Sequence, residues 1–139
     1  MFKNILVPVG LSERYAGALK IASDLARQNG GKVTLLHVIE LIVGLSLEEG
    51  KDLYDRLEQT SHEHLDRLSN QLERAGIPFE EIILYGRVAQ EIVRFAEENK
   101  SDLIVLASHR IDPCNPGYNW GTNSYKVGIL AQCPVMLVK

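Results

Sequence analysis

Five short apolar segments alternate along the chain with longer stretches in which apolar residues recur every three or four positions. The apolar segments cover residues 5–9, 33–38, 82–85, 103–107 and 135–138. Continuous apolar runs of this length are typical of strands that are buried on both faces of a parallel sheet. The intervening stretches predict four helices: one capped by Ser12 and ended by Gly30, one over about 47–75, one over 88–99, and a short one ending near 131.

This alternation predicts an α/β fold, a doubly wound five-stranded parallel sheet with helices on both faces. Right-handed crossovers favour two strand orders, 3-2-1-4-5 and 2-1-3-4-5. In the first order the winding direction reverses between strands one and four. The loops at 10–12 and 108–110 then face each other across a crevice, which is where such sheets bind ligands.

The length and composition predict one domain over residues 1–139, and the charge and apolar pattern disfavour nucleic acid and membranes as partners. Of the residues, 45% are hydrophobic, and 15 basic side chains stand against 18 acidic ones, a net charge of −3. This charge favours no nucleic-acid surface, and no apolar segment approaches the roughly 20 residues that cross a bilayer. The chain opens on strand one without a signal peptide, so we expect a soluble, cytoplasmic protein that contacts neither nucleic acid nor membrane.

The sequence lacks the motif residues of several functions that are common in this architecture. Neither Gly-x-x-x-x-Gly-Lys-[Ser/Thr] nor Gly-x-Gly-x-x-Gly occurs, so the common phosphate and dinucleotide motifs are absent. Val9-Gly10 and Tyr85-Gly86 stand where a phospho-accepting receiver domain needs acidic residues. The loop at 10–13 is also a poor match to the phosphate loop of a flavodoxin.

The histidine and cysteine positions predict no metal site. His62 and His64 are two residues apart, and on a helix such side chains point about 200° away from each other, so they cannot share one ion from a single regular helix. We expect both histidines to face solvent. Cys114 and Cys133 lack metal-ligand spacing. We expect Cys133 to be a small buried residue and Cys114 to be an exposed thiol in a loop.

Segments spread over nearly the whole chain resemble, in register, the universal stress protein family. They are the opening strand (3–9), the second strand (35–38), the turn into helix three (86–92), the fourth strand with its loop (101–109), and the closing segments (121–124 and 133–138). The resemblance implies the 3-2-1-4-5 order and a homodimer formed through strand five, at Val135, Met136, Leu137 and Val138. An apolar edge strand independently favours pairing with a second chain.

Many members of this family bind ATP or AMP in the crevice, through Gly-x-x-Gly, nine residues, and then Gly-[Ser/Thr]. Here Ala107 and Arg110 replace the first two glycines, ten residues separate Arg110 from Gly121, and Gly10 replaces an acid that contacts adenine. The resemblance implies these nucleotide-binding candidates: Pro8, Val9, Gly10, Val38, Leu106, Ala107, Arg110, Gly121, Thr122, Asn123 and Ser124.

These departures predict weaker nucleotide binding than the full motif provides. Glycine lets phosphate approach backbone N–H groups, and Pro113 and Pro116 each remove one such donor. In the opposite direction, Arg110 adds a cation suited to phosphate, and the last helix begins with N–H donors. A solvated charge at Arg110 and simple helix capping by Thr122 and Ser124 are equally compatible with the sequence.

Two functions follow from this pattern. The first is a regulatory module that binds ATP, AMP or another anion weakly, with at most very slow ATP hydrolysis. The second is a family member that has lost nucleotide binding and acts through contacts with an unidentified regulatory partner protein. An enzyme is disfavoured, because no catalytic set has a spacing that forces proximity, although Ser108, His109 and Asp112 share a loop.

Two apolar features are compatible with either function. We expect the segment at 41–47 to pack over the crevice or into a neighbouring subunit. Tyr118, Trp120 and Tyr125 cluster around the last loop, where anchoring of the loop is favoured over stacking on adenine.

Overall fold

Strands and helices alternate in the computed structural model, which describes residues 1–11, 15–109, 114 and 122–139. The elements are β1 (Asn4–Pro8), α1 (Ala16–Asn29), β2 (Lys32–Glu40), α2 (Lys51–Arg74), β3 (Phe79–Gly86), α3 (Val88–Glu98), β4 (Leu103–Ala107), α4 (Asn123–Leu130) and β5 (Val135–Val138). The strands form one parallel sheet in the order β3-β2-β1-β4-β5. This confirms the predicted α/β fold and selects the first of the two strand orders.

Alternate residues of each central strand pack into two separate apolar layers, as the two-residue period of a strand requires. On one face, Ile5 and Val7 of β1 pack in a cluster with Leu19 of α1 and Leu65 of α2. On the other face, Leu6 packs in a cluster with residues of α3 and α4, such as Ile92 and Val127. Helices therefore cover both faces of the sheet, which explains the continuous apolar runs in the sequence.

The ends of the elements differ from the sequence prediction in two places. Helix α2 begins at Lys51 rather than near residue 47, because Ser46 and Glu49 form a hydrogen-bonded turn before it. Strand β3 is longer than predicted, since it pairs with β2 from Val33 to Glu40. The capping role expected for Ser12 lies outside the described residues; the helix begins at Ala16, and Gly30 ends it in the left-handed conformation.

The histidine prediction is right for His62 and wrong for His64. The His62 side chain is 58% exposed, whereas His64 is 7% exposed. His64 lies three residues after the buried Ser61 and next to Leu65, so it shares the stripe of α2 that packs on the sheet. Among the described residues no group of histidine, cysteine and acidic side chains is arranged to hold a metal ion.

The remaining predictions from the sequence concern the exposure of the two cysteines and membrane-spanning segments. Cys114 is exposed, as predicted, and Cys133 is half-buried rather than fully buried. Burial raises the pKa of the Cys133 thiol. None of the helices in the described part of the chain has the length and apolar character needed to span a bilayer.

Candidate functional site

A crevice opens at the carboxyl ends of β1, β2 and β4, beside the start of α3 and α4. The backbone N–H of Val9 donates to the carbonyl of Leu36 at 2.8 Å, and that of Ser108 donates to the carbonyl of Val138 at 2.7 Å, so the chain leaves β1 and β4 in ordered positions. The cavity has a volume of about 270 Å³. Its position is the switch point between β1 and β4 that the sequence analysis predicted.

Eight of the eleven nucleotide-binding candidates line this cavity. They are Pro8, Val9, Gly10, Val38, Leu106, Ala107, Asn123 and Ser124. Thr122 is the N-cap residue of α4 and is not among the lining residues. The predictions for Arg110, Gly121, Pro113 and Pro116 concern positions outside the described residues.

Six further residues line the cavity that the sequence analysis did not single out: Tyr15, Leu36, His37, Glu40, Val88 and Ile92. His37 and Glu40 had a signal in the sequence, since each is a polar residue in or directly after the apolar run of strand two. Tyr15 had none, because the sequence does not show which way its side chain points in the connection between β1 and α1.

His37 is held in one orientation by the backbone of β1. Its ring is 8% exposed, and its Nδ1 lies 2.7 Å from the carbonyl oxygen of Val9. Because a carbonyl only accepts hydrogen bonds, Nδ1 is the nitrogen that carries the proton. This bond fixes the orientation of the ring, and His37 brings a fixed polar group to the wall of the cavity.

Tyr15 closes the side of the crevice next to Gly10. A Cβ atom built on Gly10 would lie 2.6 Å from the Tyr15 hydroxyl oxygen. The phenol group of Tyr15 thus occupies the space that a side chain at position 10 would need. A hydroxyl both donates and accepts hydrogen bonds, so Tyr15 supplies a polar side chain next to Gly10, which has no side chain of its own.

Three hydroxyl groups lie close together at the N-terminus of α4. The Oγ atoms of Ser108 and Ser124 are 3.1 Å apart, and Thr122 Oγ1 is 3.4 Å from Ser124 Oγ. Thr122 makes no side-chain cap to the helix. The first helical bond of the described residues is donated by Lys126 to the carbonyl of Thr122, so the N–H groups of the first turn precede the helical ladder and face the crevice end of α4.

Glu40 is the one charged side chain among the described lining residues. Apart from His37 and Tyr15, the rest of the described wall is apolar toward β1, β2, β4 and α3, and it is polar toward Asn123 and Ser124 of α4. An apolar wall suits a flat ring system, and N–H groups with hydroxyls suit an anion. Glu40 repels an anion at the β2 side, so a bound anion is favoured at the α4 side.

Tyr125 anchors the chain at the end of β4 and does not line the cavity. Its hydroxyl donates to the carbonyl of His109 at 2.7 Å, and its ring meets the His109 ring edge-to-face at 5.6 Å. The Lys139 ammonium hydrogen-bonds to the Tyr125 hydroxyl and lowers its pKa. This supports the anchoring role for Tyr125, whereas Tyr118 and Trp120 lie outside the described residues.

The apolar segment at 41–47 does not cover the crevice, so the first of the two expected packings is wrong, whereas packing into a neighbouring subunit stays a prediction. Residues 41–47 are absent from the cavity wall, and Val43 is fully exposed. Tyr54 draws the segment toward the start of α2 instead, since its hydroxyl accepts a hydrogen bond from the N–H of Ile42 and donates to the carbonyl of Leu45.

A second apolar groove lies along β5 and α4, at the edge of the sheet. Its volume is about 310 Å³, and it is lined by Tyr125, Gly128, Ile129, Cys133, Val135 and Leu137. Ile129 is 76% exposed at its margin. Within the described residues β5 pairs with β4 alone, so the other backbone edge of β5 is unpaired, and the groove lies beside this edge.

The sequence model of the Universal stress protein family matches residues 1–139. Among individual proteins, the chain is 32% identical over 149 residues to universal stress protein YxiE of Bacillus subtilis, covering 100% of each. It is 30% identical over 126 residues to universal stress protein MJ0577 of Methanocaldococcus jannaschii, covering 78% of both chains.

Solved structures share the fold. The structure of MJ0577 superposes with a TM-score of 0.83 at 27% identity, covering 100% of this chain and 97% of that one. A universal stress protein from Archaeoglobus fulgidus in complex with dAMP has a TM-score of 0.74 at 23% identity, covering 98% of this chain and 97% of that one. This second likeness demonstrates the shared fold.

Proposed function

This chain belongs to the universal stress protein family, and we propose that it is a dimeric regulatory module whose crevice binds an adenine nucleotide, ATP or AMP, or another phosphate-bearing anion weakly. The observation that carries the proposal is the crevice itself, where eight candidate residues from β1, β2, β4 and α4 line one cavity. The dAMP complex of the Archaeoglobus protein indicates that a protein of this fold accommodates such a ligand.

The two ends of the crevice suit the two parts of a nucleotide. Val9, Val38 and Leu106 present apolar surface for a base, and Tyr15 and His37 add polar groups to this wall. At the other end, the first turn of α4 and the hydroxyls of Ser124 and its neighbours offer hydrogen-bond donors to a phosphate. A helix N-terminus favours negative charge as well as supplying N–H groups.

Weak binding follows from the charges on the wall. Glu40 is acidic, and position 10 has no side chain to contact a base. Arg110, two residues after Ser108 in the sequence, is the cation that this proposal assigns to the phosphate. Pro113 and Pro116 each remove a backbone N–H from the segment between Arg110 and Gly121, so this segment offers a phosphate fewer backbone donors than a glycine-rich loop does.

We further propose that the dimer forms through β5. The outer edge of β5 has backbone groups suited to a second strand, and the groove beside it is apolar. An antiparallel pairing of two β5 strands about a two-fold axis would place Val135, Met136, Leu137 and Val138 at the interface, with Ile129 of α4 at its margin.

The same arrangement favours a binding module over an enzyme. The one histidine on the described wall, His37, bonds the Val9 carbonyl through Nδ1, and no serine or cysteine of the described residues hydrogen-bonds to its ring. The alternative function, a family member that acts only through protein contacts, is favoured by Gly10 and Glu40, which disfavour a tightly held nucleotide.

Calorimetric titration with ATP, AMP and adenosine tests the proposal. We expect measurable but weak binding of the two nucleotides, with dissociation constants above about 1 µM. Asn123→Asp should weaken both nucleotides, because it places a negative charge on the phosphate side, while adenosine binding stays unchanged. The substitution itself should not harm the fold, since Asn123 is exposed and an acid at a helix N-terminus is stabilising.

Asn70→Asp, the same substitution at an exposed position in α2, is the matched control and should leave all three titrations unchanged. Submicromolar ATP affinity would contradict weak binding. Failure of the wild-type protein to bind any of the three at millimolar concentration would favour the alternative function.

A further inference from the structure

Four apolar side chains project into solvent from the connection between β2 and α2. The exposed fractions are 41% for Leu41, 48% for Ile42, 100% for Val43 and 50% for Leu47. We call these four residues the apolar platform. Single exposed apolar residues are common on protein surfaces, but four within seven positions mark a surface that another molecule covers.

The backbone under the apolar platform is held in place by specific bonds. The buried Tyr54 accepts from the N–H of Ile42 at 3.0 Å and donates to the carbonyl of Leu45 at 2.9 Å. Leu45 packs so closely on Gly50 that a Cβ there would lie 2.7 Å from its Cδ2 atom. These contacts order the segment before any partner arrives, which lowers the entropic cost of docking.

A turn directly after Leu45 also holds the backbone of this segment in place. Ser46 Oγ accepts from the N–H of Glu49 at 3.1 Å and donates to its carboxylate at 2.9 Å, a reciprocal arrangement resembling a capping box. Leu47 lies inside this turn. The apolar side chains are therefore exposed although the backbone that carries them is tied down, so exposure here does not come from a loosely held loop.

The surroundings of the apolar platform are strongly acidic. Residues 40–58 contain six acidic and two basic side chains, a net charge of −4, whereas the whole chain carries −3. Of the two basic side chains, Lys51 is paired with Asp55 at 2.7 Å. Glu48 and Asp52 carry no ion pair with the described residues. The excess negative charge of the protein is thus concentrated beside its exposed apolar side chains.

We propose that the apolar platform is the docking site of a partner protein that presents a basic amphipathic helix. Such a helix places apolar residues at i, i+3 and i+4 on the platform and directs lysine or arginine toward the acidic border. The acidic border disfavours an anionic membrane surface, which would be repelled. The proposal is independent of the nucleotide proposed for the crevice.

Fluorescence anisotropy with a labelled synthetic helix of leucine and lysine, about 14 residues long, tests the proposal on the full-length protein. We expect binding with a dissociation constant on the order of 10 µM. The double variant Val43→Ser, Leu47→Ser should weaken binding about tenfold, because it removes apolar contact area. Glu48→Lys should weaken it about threefold at low salt, with the effect vanishing near 0.5 M salt.

Two matched control variants distinguish binding at the apolar platform from nonspecific binding. Leu130→Ser removes an apolar side chain at the end of α4 whose exposure, 48%, is close to the 50% of Leu47, and Glu63→Lys reverses an exposed charge farther along α2; neither should change the affinity. Circular dichroism checks that every variant is folded, which we expect because all these side chains are exposed.

Three results would overturn the proposal. The first is an unchanged affinity of the Val43→Ser, Leu47→Ser variant for the peptide, and the second is an equal loss of affinity in the two matched variants. The third is a lower sedimenting mass of the Val43→Ser, Leu47→Ser variant than of the wild-type protein, which would identify a second copy of this chain as the occupant. Tighter binding to vesicles containing phosphatidylglycerol than to the peptide would likewise identify a membrane instead.

Discussion

The hydroxyl of Tyr15 occupies the space into which a side chain at position 10 would extend. A Cβ on Gly10 would lie 2.6 Å from the Tyr15 oxygen, far inside ordinary contact distance. Gly10 and Tyr15 are therefore a matched pair. The absence of an acid at position 10 and the presence of a phenol at position 15 are two aspects of one packing arrangement at the crevice.

Gly10→Ala should destabilise the protein by about 1 kcal/mol or less, because the new methyl group meets the terminal hydroxyl of the half-buried Tyr15, which has to shift. In a Tyr15→Ala background the same substitution should cost much less, and the difference is the coupling energy of the pair. Urea denaturation of the four proteins measures it. Gly10→Asp consequently needs the Tyr15→Ala background before its effect on nucleotide binding can be interpreted.

Gly17→Ala is the control for this cycle. Its Cβ would meet Val138 at 3.5 Å, an ordinary contact, and alanine is the better helix former, so we expect unchanged or higher stability. Independent, additive effects of the Gly10 and Tyr15 substitutions would show that the two residues are not coupled.

Arg110→Ala should weaken ATP or AMP binding by about 1–3 kcal/mol, the usual loss when a charge-assisted contact is removed. The reason is that Arg110 is proposed to supply a cation to the crevice, where Glu40 is the charged group of the described wall. Calorimetry measures the effect. Arg74→Ala, an exposed arginine at the end of α2, is the control and should bind like the wild-type protein.

If Arg110→Ala retained full affinity while Asn123→Asp lost it, the phosphate would be held by α4 alone. The role proposed for Arg110 would then be wrong, although the crevice would remain the binding site.

Ile129→Glu should convert the proposed dimer to a folded monomer. The substitution places a charge at the margin of the apolar groove along β5, and because Ile129 is 76% exposed it should not disturb the fold of one chain. Sedimentation equilibrium at micromolar concentration measures the mass. Val43→Glu, on a fully exposed residue after β2 and so three strands from β5, should leave the dimer intact. A wild-type monomer would refute the β5 dimer directly.

Tyr85 makes the stability of the fold sensitive to alkaline pH. Burial, together with its hydrogen bond to Glu58 at 2.7 Å, raises the pKa of Tyr85 to about 12, above the ordinary value of 10.0. Between about pH 10 and pH 12 the unfolded chain releases this proton while the folded protein keeps it, so rising pH favours unfolding. The stabilisation is complete below pH 10 and is lost as the pH passes through 12.

The free energy of unfolding, measured by urea denaturation at about pH 9 and about pH 11.5, checks this sign. The wild-type protein should lose more stability over that interval than Tyr85→Phe, which has no phenol to ionise. Glu58→Gln should show an intermediate loss, because it removes the neighbouring carboxylate but leaves Tyr85 buried. Equal losses in wild type and Tyr85→Phe would exclude Tyr85 as the titrating group.

The fold was predictable because its signals are local. Apolar runs such as residues 103–107 must be buried on both faces, and the helical spacing between them leaves a parallel sheet with helices on each side. The choice between two strand orders came from resemblance to a family and not from these patterns. Even so, the position of the crevice followed from the strand order, since parallel strands bring their carboxyl ends to one edge.

The contacts of individual side chains were not predictable. Nothing in the pattern around Tyr15 indicates that its hydroxyl turns back to Gly10, five residues earlier, and nothing near His37 indicates a bond to the Val9 carbonyl. The exposure predicted for His64 was wrong because side chains two apart on a helix point to opposite sides, so His64 lies on the packed stripe of α2 when His62 faces solvent. In each case the surroundings of the side chain depend on how the segment that carries it packs.

The sequence by itself determined the alternation of strands and helices, the residues at the carboxyl ends of the strands, and the departures at Gly10, Ala107 and Arg110. These depend on the period of the apolar pattern and on residue identity. Tertiary structure alone decided that Tyr15 fills the place beside Gly10 and that residues 41–47 face solvent rather than the crevice. The reason is that a side chain's surroundings depend on how separate elements pack, whereas its place in an element depends on its near neighbours.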